Sequence, residues 1–354
     1  MPLDAADILF GKDAALRPDE PSGMDRPRRK RREDKPSYYD ISLLKPPVWK
    51  WEIAWYFFLG GLSAGAFVLA RLGEIVGGKR YADLTRAAAR ISAAAALPCA
   101  PLLVHDLGDP KRFHHMLRVF KPSSPMSLGS WTLSGYTAMC ALAAVREEAR
   151  SRGWDAHGSA IGRGLDRAVM MATDAAGIPL ALLLAGYTGV LLSTTANPLW
   201  GRKQALGALF SAGAMHSATS AVRLALTAST PQPENSPALR ALEKVDAATS
   251  AVEAVAAAAF VAEAGPLAKS ITAGRYGPLF LGGAIGAGLL APALIERLPQ
   301  PKAAKRWTTI AACAIGLAGA LALRWSLVYA GHAAAGDPDQ ARRASRKENP
   351  AESA

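Results

Sequence analysis

The sequence predicts an all-α integral membrane protein with about eight transmembrane helices. Half of its 354 residues are hydrophobic but only 7% are aromatic, and alanine and glycine dominate the long apolar runs. This composition is typical of membrane helices that pack closely through small residues. Most of the runs approach the roughly 20 apolar residues that one bilayer crossing needs. We therefore expect the protein to work inside the bilayer.

Eight apolar runs predict the membrane spans. They lie near residues 53–76, 84–105, 128–145, 168–195, 205–228, 244–265, 278–296 and 307–331. The third is the shortest, and Asp246, Glu253 and Glu263 interrupt the sixth. An even number of crossings puts both termini on one side of the membrane, which we name the N-face. We name the opposite side the C-face; by this definition the C-terminus lies at the N-face. The distribution of Lys and Arg does not decide which compartment either face meets.

Two polar tails flank the apolar body. Residues 1–50 and 333–354 hold much of the charge and proline and lack helical periodicity, so we expect both tails to be mostly disordered. The basic cluster at 26–32 is not followed by the hydrophobic region that a cleavable signal peptide needs, so the first span should direct insertion. The functional body is therefore residues 51–332.

The net charge of +12 would suggest a nucleic-acid partner in a soluble protein. Here the Lys and Arg residues of the body lie in short segments between apolar runs. Cations in such positions anchor helix ends and contact anionic lipid headgroups. The expected partner of this charge is the lipid bilayer, and not nucleic acid.

Cysteines and histidines do not follow the spacing of common redox centres. Cys99, Cys140 and Cys313 lie far apart in apolar runs without CxxC spacing, so we expect small buried thiols instead of cluster ligands or disulfides. A b-type haem needs axial histidines on facing helices, and of six histidines only His216 lies in the middle of a span. The sequence thus predicts no haem, iron–sulfur cluster or metal in this protein.

Polar and aromatic residues of the first four spans collect at the N-face. Because successive helices alternate in direction, four segments share this surface: 49–56, 105–113, 120–131 and 187–200. Their tryptophans, among them Trp49, Trp51 and Trp200, are typical of an interfacial aromatic belt. Asp106 and Tyr187 fit that explanation less well. A carboxyl at the end of an apolar run needs a partner or a wet cavity, and a phenol inside a helix needs a hydrogen-bond partner.

The partners of these two residues stay open at the level of sequence. Arg112 and Lys111 can pair with Asp106, which would make it part of a structural salt bridge. His105 is either the partner of Tyr187 or an interfacial imidazole. Every one of these interpretations places Asp106 and Tyr187 at the N-face. They differ in whether the two residues have a chemical role or a structural one.

Several ordered motifs together resemble the NrfD/PsrC family, the membrane subunits of polysulfide-reductase-type respiratory complexes. They are Trp49-Lys-Trp-Glu-Ile, Tyr56-Phe-Phe-Leu-Gly-Gly-Leu-Ser-Ala-Gly-Ala, Asp106-Leu-Gly-Asp-Pro-Lys-Arg-Phe, Phe120-Lys-Pro-Ser-Ser-Pro-Met-Ser-Leu-Gly-Ser-Trp and Tyr187-Thr-Gly-Val-Leu-Leu. The resemblance covers about residues 38–335 and is densest before residue 200. It implies a multi-pass protein of the bacterial inner membrane, with four-helix bundles at 51–200 and 201–332.

The resemblance also implies a function. Members of the family bind a quinone, menaquinone or ubiquinone, in the first bundle and carry no haem or iron–sulfur cluster of their own. Electrons pass between that quinone and a ferredoxin-like iron–sulfur subunit, which serves a molybdopterin-type catalytic subunit. The expected role is therefore a membrane anchor and quinone-interacting subunit of a respiratory oxidoreductase, whose terminal substrate is set by the catalytic subunit.

Carried over residue by residue, the resemblance implies a quinone site. Tyr187 matches a tyrosine that hydrogen-bonds the quinone headgroup, and Tyr56 lies where some members have histidine. His105 and Asp106 match the end of the second span, where the family keeps an acidic residue. We expect Tyr187 and either Tyr56 or His105 to hold the two carbonyls while Asp106 exchanges protons with the N-face. Arg112 would tune Asp106 electrostatically.

The second half offers a further hypothesis. His216 and Arg223 are seven residues apart and share a helix face, and Asp246 and Glu253 repeat that spacing on the next span. Opposite charges on the two helices can form buried pairs that only hold the helices together. The alternative is a proton path, as proposed for some relatives, that uses His216, Glu253 and Arg324.

Two other functions compete with quinone chemistry. Tyrosine at position 56 is a poorer proton acceptor than histidine, which favours a passive anchor that no longer binds quinone. Eight helices with buried charges are also compatible with a transporter. A transporter gives no special reason for motifs to gather at one membrane face.

Overall fold

The computed structural model describes residues 44–346 apart from 46, 154–158, 231–235 and 300. All secondary structure in this part of the protein is helical. The predicted N-terminal tail lies almost wholly outside the described residues. The prediction of an all-α protein is confirmed for the described part.

Twelve α-helices and one long π-helix form the body of the described part. The α-helices are α1 (Trp51–Leu72), α2 (Ala82–Ala96), α3 (Cys99–Asp106), α4 (Pro125–Ser151), α5 (Ala160–Ala172), α6 (Ile178–Ser193), α7 (Ala205–Ser229), α8 (Pro237–Ala264), α9 (Lys269–Thr272), α10 (Ala291–Arg297), α11 (Lys302–Gly336) and α12 (Pro338–Arg346). The π-helix, Pro278–Leu290, runs directly into α10. Short 3₁₀ and π segments join the others.

Helical structure occupies each of the eight predicted span positions. Five segments are long and apolar enough to cross a membrane, judged by length and composition: Trp51–Asp106, Ala160–Ser193, Pro237–Thr272, Gly274–Arg297 and Ala304–Gly336. The first contains both α1 and the α2–α3 pair, which are separated at Gly78, where a φ of 50° turns the backbone. Most residues of α7 are buried and several are polar, so this helix meets other helices more than lipid.

Helices α1 and α7 pack against each other at the centre of the molecule. α1 also contacts α2, α6 and α11, and α7 also contacts α6, α8 and α11. The two helices approach closely at Gly65, where a methyl group would lie 2.7 Å from the Cβ of Ala218. The rings of Phe57 and Phe210 meet edge to face with centroids 5.5 Å apart. The small-residue face of α1 thus joins the two halves of the protein.

The outer surface of the helices is apolar. Large aliphatic side chains are exposed on α4, α6, α8, the π-helix and α10: Leu142, Val145, Leu182, Leu183, Val190, Val252, Val255, Leu281, Leu290 and Leu294. Extensive exposed apolar surface of this kind marks contact with lipid or with another protein. The arrangement fits a body embedded in a bilayer.

The prediction of a disordered C-terminal tail is wrong for residues 333–346. Helix α11 continues to Gly336, and α12 follows after one residue. The Asp337 side chain accepts hydrogen bonds from the backbone N–H groups of Asp339 and Gln340, which caps α12, and Pro338 occupies the first helical position. Capping and burial of small side chains such as Ala341 therefore stabilise helix where apolar periodicity is weak.

An ionic cluster fastens the C-face ends of α1, α4 and α5. Arg146 donates from Nε to Asp166 at 2.7 Å and from Nη1 to Glu74 at 2.9 Å. Arg71 donates to Asp174 at 2.7 Å and to Glu74 at 2.6 Å. Both arginine side chains are buried, so each charge is neutralised where it would otherwise be costly. No sequence pattern singled out these residues.

Candidate functional site at the N-face

The start of α1 and the end of α3 meet in an ion pair. Glu52 Oε1 lies 2.8 Å from His105 Nδ1. Glu52 is 2% exposed, whereas the His105 side chain is 71% exposed. The ring of Trp51 packs beside the imidazole, with centroids 6.2 Å apart. The pair therefore links a buried carboxylate to an imidazole that solvent can reach.

Asp106 adds a third ionisable group to this pair. Its carboxyl group lies close to the backbone of Lys50 and to the side chains of Glu52 and His105. Two carboxyl groups and an imidazole can each take up and release protons, and histidine does so close to neutral pH. The structure places His105 and Asp106 beside the start of α1, as the alternation of helices predicts.

Tyr56 lies one helical turn below Glu52 on α1 and is 3% exposed. Among the described residues its hydroxyl has no hydrogen-bond partner. The Tyr56 phenol lies near Cys99 and Tyr187. A buried phenol normally has a partner for its O–H, so a hydroxyl without one indicates a donor that is free to bind a ligand.

Tyr187 reaches from α6 to the first turn of α4. Its hydroxyl donates to the backbone carbonyl of Pro125. Gly129 makes this contact possible, because a methyl group there would lie 2.6 Å from the phenol ring. Of the two alternatives for His105, a hydrogen bond to Tyr187 does not form: His105 pairs with Glu52, and the Tyr187 hydroxyl donates to the carbonyl of Pro125.

Arg112 pairs with Asp109 and does not form the predicted salt bridge with Asp106. Residues Pro110–Leu117 form a 3₁₀ helix that begins just after Asp109. Arg112 Nε lies 3.1 Å from Asp109 Oδ2, and its side chain is largely exposed. The i,i+3 spacing within the 3₁₀ turn brings these two residues together, which draws the guanidinium to the local carboxylate.

Aromatic and amide contacts fix the N-face end of α6 against α11. Trp200 is fully buried, stacks on Trp49 at 5.5 Å and donates from Nε1 to the carbonyl of Leu327 at 3.0 Å. Asn197 Nδ2 donates to the carbonyl of Gly331 at 2.8 Å. Trp200 is therefore a core residue, and its predicted place in an interfacial belt is wrong.

Sequence reasoning missed Glu52, which entered only as one letter of a motif. A glutamate at the second position of an apolar helix is the signal that could have found it, because an ionisable group there needs a partner. Tyr329 and His332 were also missed. Tyr329 Oη and His332 Nε2 are buried without a hydrogen-bond partner, near the N-face end of α11.

The second half contains a separate buried network. His216 Nδ1 lies 2.6 Å from Glu253 Oε2, and Arg324 Nη1 lies 3.5 Å from Glu253 Oε1. Gly213 makes room for this group, because a methyl group there would lie 2.5 Å from both Glu253 and Arg324. A cavity of about 10 Å³ adjoins His216 and Glu253, room for about one water molecule. The structure therefore brings together His216, Glu253 and Arg324, and their use as a proton path stays a prediction.

The network continues toward the C-face. His216 Nε2 lies 3.9 Å from Asp246 Oδ1, and Arg223 donates to Asp246. Arg223 also donates to Glu296 of α10 at 2.7 Å. The predicted pairing of opposite charges between the fifth and sixth spans is thereby confirmed, and Glu296 extends it to a third helix.

The three cysteines form no disulfide with one another. Cys99, Cys140 and Cys313 are free, buried thiols, which confirms the expectation for them. Within the described ranges no group of three or more His, Cys, Asp or Glu side chains is arranged to hold a metal ion.

The fold and the N-face site define a class: multi-pass helical membrane proteins with a cluster of ionisable side chains where the helices end. Comparison with known proteins makes the assignment specific. The profile of the family described as "Polysulphide reductase, NrfD" matches residues 41–335, and the protein belongs to this family. The C subunit of the polysulfide reductase of Wolinella succinogenes is 28% identical over 302 residues, which cover 80% of this protein and 94% of that subunit.

Family membership confirms the resemblance that the motifs carried. It makes this protein a multi-pass protein of the bacterial inner membrane and a membrane subunit of a respiratory oxidoreductase. The apolar helices and exposed aliphatic surface agree with that location.

Proposed function

We propose that this subunit exchanges electrons between a membrane quinone, menaquinone or ubiquinone, and an iron–sulfur partner subunit at the N-face. The observation that carries the proposal is the buried residue Tyr56, whose hydroxyl makes no hydrogen bond to the described residues and lies one turn below the Glu52–His105 pair. A quinone carbonyl needs a hydrogen-bond donor, and the adjoining proton exchange needs acidic and basic groups. Both requirements are met within a single helical turn of α1.

When bound, a quinone supplies a two-electron, two-proton couple. Tyr56 donates to one carbonyl, and the second carbonyl is held either by Tyr187, with its hydroxyl turned away from Pro125, or by His105. Asp106 and Glu52 take up protons during quinol oxidation. His105, which is exposed, passes them to the N-face. The electrons leave to a ferredoxin-like iron–sulfur subunit, which serves a molybdopterin-type catalytic subunit.

In this proposal the protein crosses the membrane eight times, with four-helix bundles at 51–200 and 201–332. Helices at all eight predicted positions support this arrangement. The close contact of α1 with α7 would then be the seam between the bundles. It brings α11 beside α1, so the second bundle supports one wall of the quinone site.

The test replaces the three groups in the assembled complex and measures quinol oxidation in membranes. Tyr56→Phe removes only the hydroxyl and is expected to lower kcat/KM about tenfold, in line with about 1.4 kcal/mol for one donor. Tyr187→Phe and Asp106→Asn should also slow the reaction. Tyr81→Phe, at the opposite face, is the matched control and should leave the rate unchanged.

The alternatives give different results in the same assay. Unchanged rates in all three variants would remove the quinone site and leave a passive membrane anchor. Solute flux through this subunit without its iron–sulfur partner would instead support a transporter, because a quinone-reactive subunit carries no flux alone.

A second role, a proton path through the second half, is favoured by one observation. The charged groups form a continuous series that begins at the exposed Glu296, passes through Arg223 and the partly buried Asp246, and ends at the buried His216, Glu253 and Arg324. Buried ionisable groups in membranes often mark proton relays. The alternative interpretation is a set of ion pairs that only holds the helices together. Protons move through the series in the first interpretation and do not in the second.

Proteoliposomes that contain the complex separate a relay from a structural network. Glu253→Gln keeps the side-chain shape but removes the titratable carboxyl. If the series conducts protons, this variant should lose most of the pH change that accompanies quinol oxidation. Its rate of quinol oxidation in the presence of an uncoupler should stay above about half of the wild-type rate. Glu243→Gln, an exposed residue of the same helix, is the control. Equal proton movement in both variants would leave only the structural role.

A further inference from the structure

Three buried polar atoms near the N-face have no hydrogen-bond partner within the described part of the chain. They are Glu52 Oε2 at the start of α1 and, near the end of α11, Tyr329 Oη and His332 Nε2. Glu52 and Tyr329 are more than nine-tenths buried, so bulk solvent does not satisfy them. Buried polar groups in proteins are nearly always hydrogen-bonded, and each exception requires an explanation.

Helices α1 and α11 pack against each other and bring these three atoms into one region. The Tyr329 phenol lies near Glu52, and its ring lies beside the His332 imidazole, with centroids 5.6 Å apart. His332 also lies close to the backbone of Trp49, which precedes Glu52 by three residues. The three atoms therefore lie around one small space between the start of α1 and the end of α11.

Neighbouring rings fix the position of the Tyr329 side chain. Trp325 and Tyr276 both stack on it, with centroids 5.6 Å and 6.2 Å away. Residues 325, 329 and 332 are four and three apart in sequence, so they share one face of α11. Because the ring is held in place, the hydroxyl must find its partner within the same small space.

The donors and acceptors of the three groups complement one water molecule. A glutamate carboxylate only accepts hydrogen bonds, whereas a phenol can donate one. A neutral imidazole has one nitrogen that donates and one that accepts, so His332 Nε2 is an acceptor in the tautomer that carries its proton on Nδ1. A water molecule that accepts from Tyr329 and donates to Glu52 and His332 makes three hydrogen bonds, the usual number for a buried water.

We propose that Glu52, Tyr329 and His332 together bind one water molecule, and that Tyr329 is a positioning residue for Glu52. This inference rests on the proposed quinone chemistry, in which Glu52 takes up protons. His105 holds one oxygen of the Glu52 carboxylate, and the water holds the other. A carboxylate held at both oxygens keeps a single orientation during turnover. Helix α11 of the second half thus completes the proton-accepting group of the N-face site.

A cryo-EM map of the assembled complex, at a resolution that shows ordered water, tests the water site. We expect one peak about 2.8 Å from each of Glu52 Oε2, Tyr329 Oη and His332 Nε2. The peak should disappear in the Tyr329→Phe complex. It should stay in the Tyr276→Phe complex, the matched control, which keeps the stacked rings and loses only a neighbouring hydroxyl. A direct hydrogen bond between Tyr329 and Glu52, or no peak between the three atoms, would overturn the water site.

Quinol oxidation by the same complexes tests the positioning role. Tyr329→Phe should lower kcat about two- to tenfold, the range expected for one hydrogen bond. It should leave KM unchanged, because Tyr329 acts on Glu52 and not on the quinone. Tyr276→Phe should match the wild type in both constants. A wild-type kcat in Tyr329→Phe, or a rise in KM alone, would overturn the role of Tyr329.

Failure of the quinone site and failure of the positioning role give different results. If Tyr56→Phe, Tyr187→Phe and Asp106→Asn all oxidise quinol at the wild-type rate, the quinone site is removed, and the map still decides whether the water is bound. If those variants are slow and Tyr329→Phe is not, the quinone site stands and only the role of Tyr329 is removed.

Discussion

Replacing Glu253 with alanine is expected to lower the free energy of unfolding by about 3–5 kcal/mol, the usual cost of breaking a buried ion pair by removing one partner. Arg324 is 1% exposed and would keep its charge with no carboxylate beside it. His216 would lose its hydrogen-bond partner in the same step. Thermal unfolding of the purified protein in detergent, together with its level in the membrane, measures the loss.

Two further variants show whether charge or space is responsible. Glu243→Ala removes an exposed glutamate from the same helix and should change stability by no more than about 0.5 kcal/mol. Glu253→Gln fills the same volume and still accepts hydrogen bonds, so it should fall between the two. A Glu253→Ala protein as stable as the wild type would mean that Arg324 is neutralised by some other group.

The positions of the helices could be predicted because the bilayer restricts the backbone conformations that a membrane-spanning segment can adopt. Backbone polar groups in lipid must be paired within the segment, so long apolar runs become helices almost without exception. The local form of a helix is less constrained. The π-helix Pro278–Leu290 lies in close contact with α11 at Gly288 and Gly319, and no periodicity in the sequence predicts its π form.

The polar ends of the helices were harder to predict than the spans. Residues 333–346 are helical through one capping aspartate, Asp337, and buried alanines, which composition alone does not reveal. Arg112 was assigned to Asp106 because the two are close in sequence. A 3₁₀ turn gave Arg112 a nearer carboxylate in Asp109, and hydrogen-bonded turns of this kind depend on local geometry.

The candidate site was predictable in location but not in its contacts. Helix alternation alone brings His105 and Tyr56 to the N-face. The partner of each group depends on side-chain direction, which sequence spacing does not give: Tyr187 turns to Pro125, and Glu52 takes His105. Residues seven apart share a helix face, so the pairing of His216 with Glu253 could be foreseen. Glu296 comes from a third helix and could not.

Placing a side chain at Gly65 is the second change with a large expected effect. Alanine in place of glycine inside a helix ordinarily stabilises it by about 0.5–1 kcal/mol. At Gly65 the added methyl would overlap the backbone carbonyl of Ala214 and lie 2.7 Å from the Cβ of Ala218, both on α7. Backbone atoms cannot move aside as a flexible side chain can, so α1 and α7 must separate. Overpacking of this kind costs about 1–3 kcal/mol, which exceeds the gain in helix propensity.

Gly60→Ala on the same helix separates packing from propensity. A methyl at Gly60 would lie 3.6 Å from the Tyr56 ring, an ordinary contact, so this variant should be as stable as the wild type or slightly more stable. Gly65→Ala should unfold at a lower temperature, and Gly65→Leu at a lower one still, because the larger side chain forces the helices further apart. Gly65→Ala and Gly60→Ala proteins of equal stability would contradict a tight α1–α7 seam. If stability falls only when position 65 is changed, the contact between α1 and α7 is what joins the N-face site to the helices of the second half.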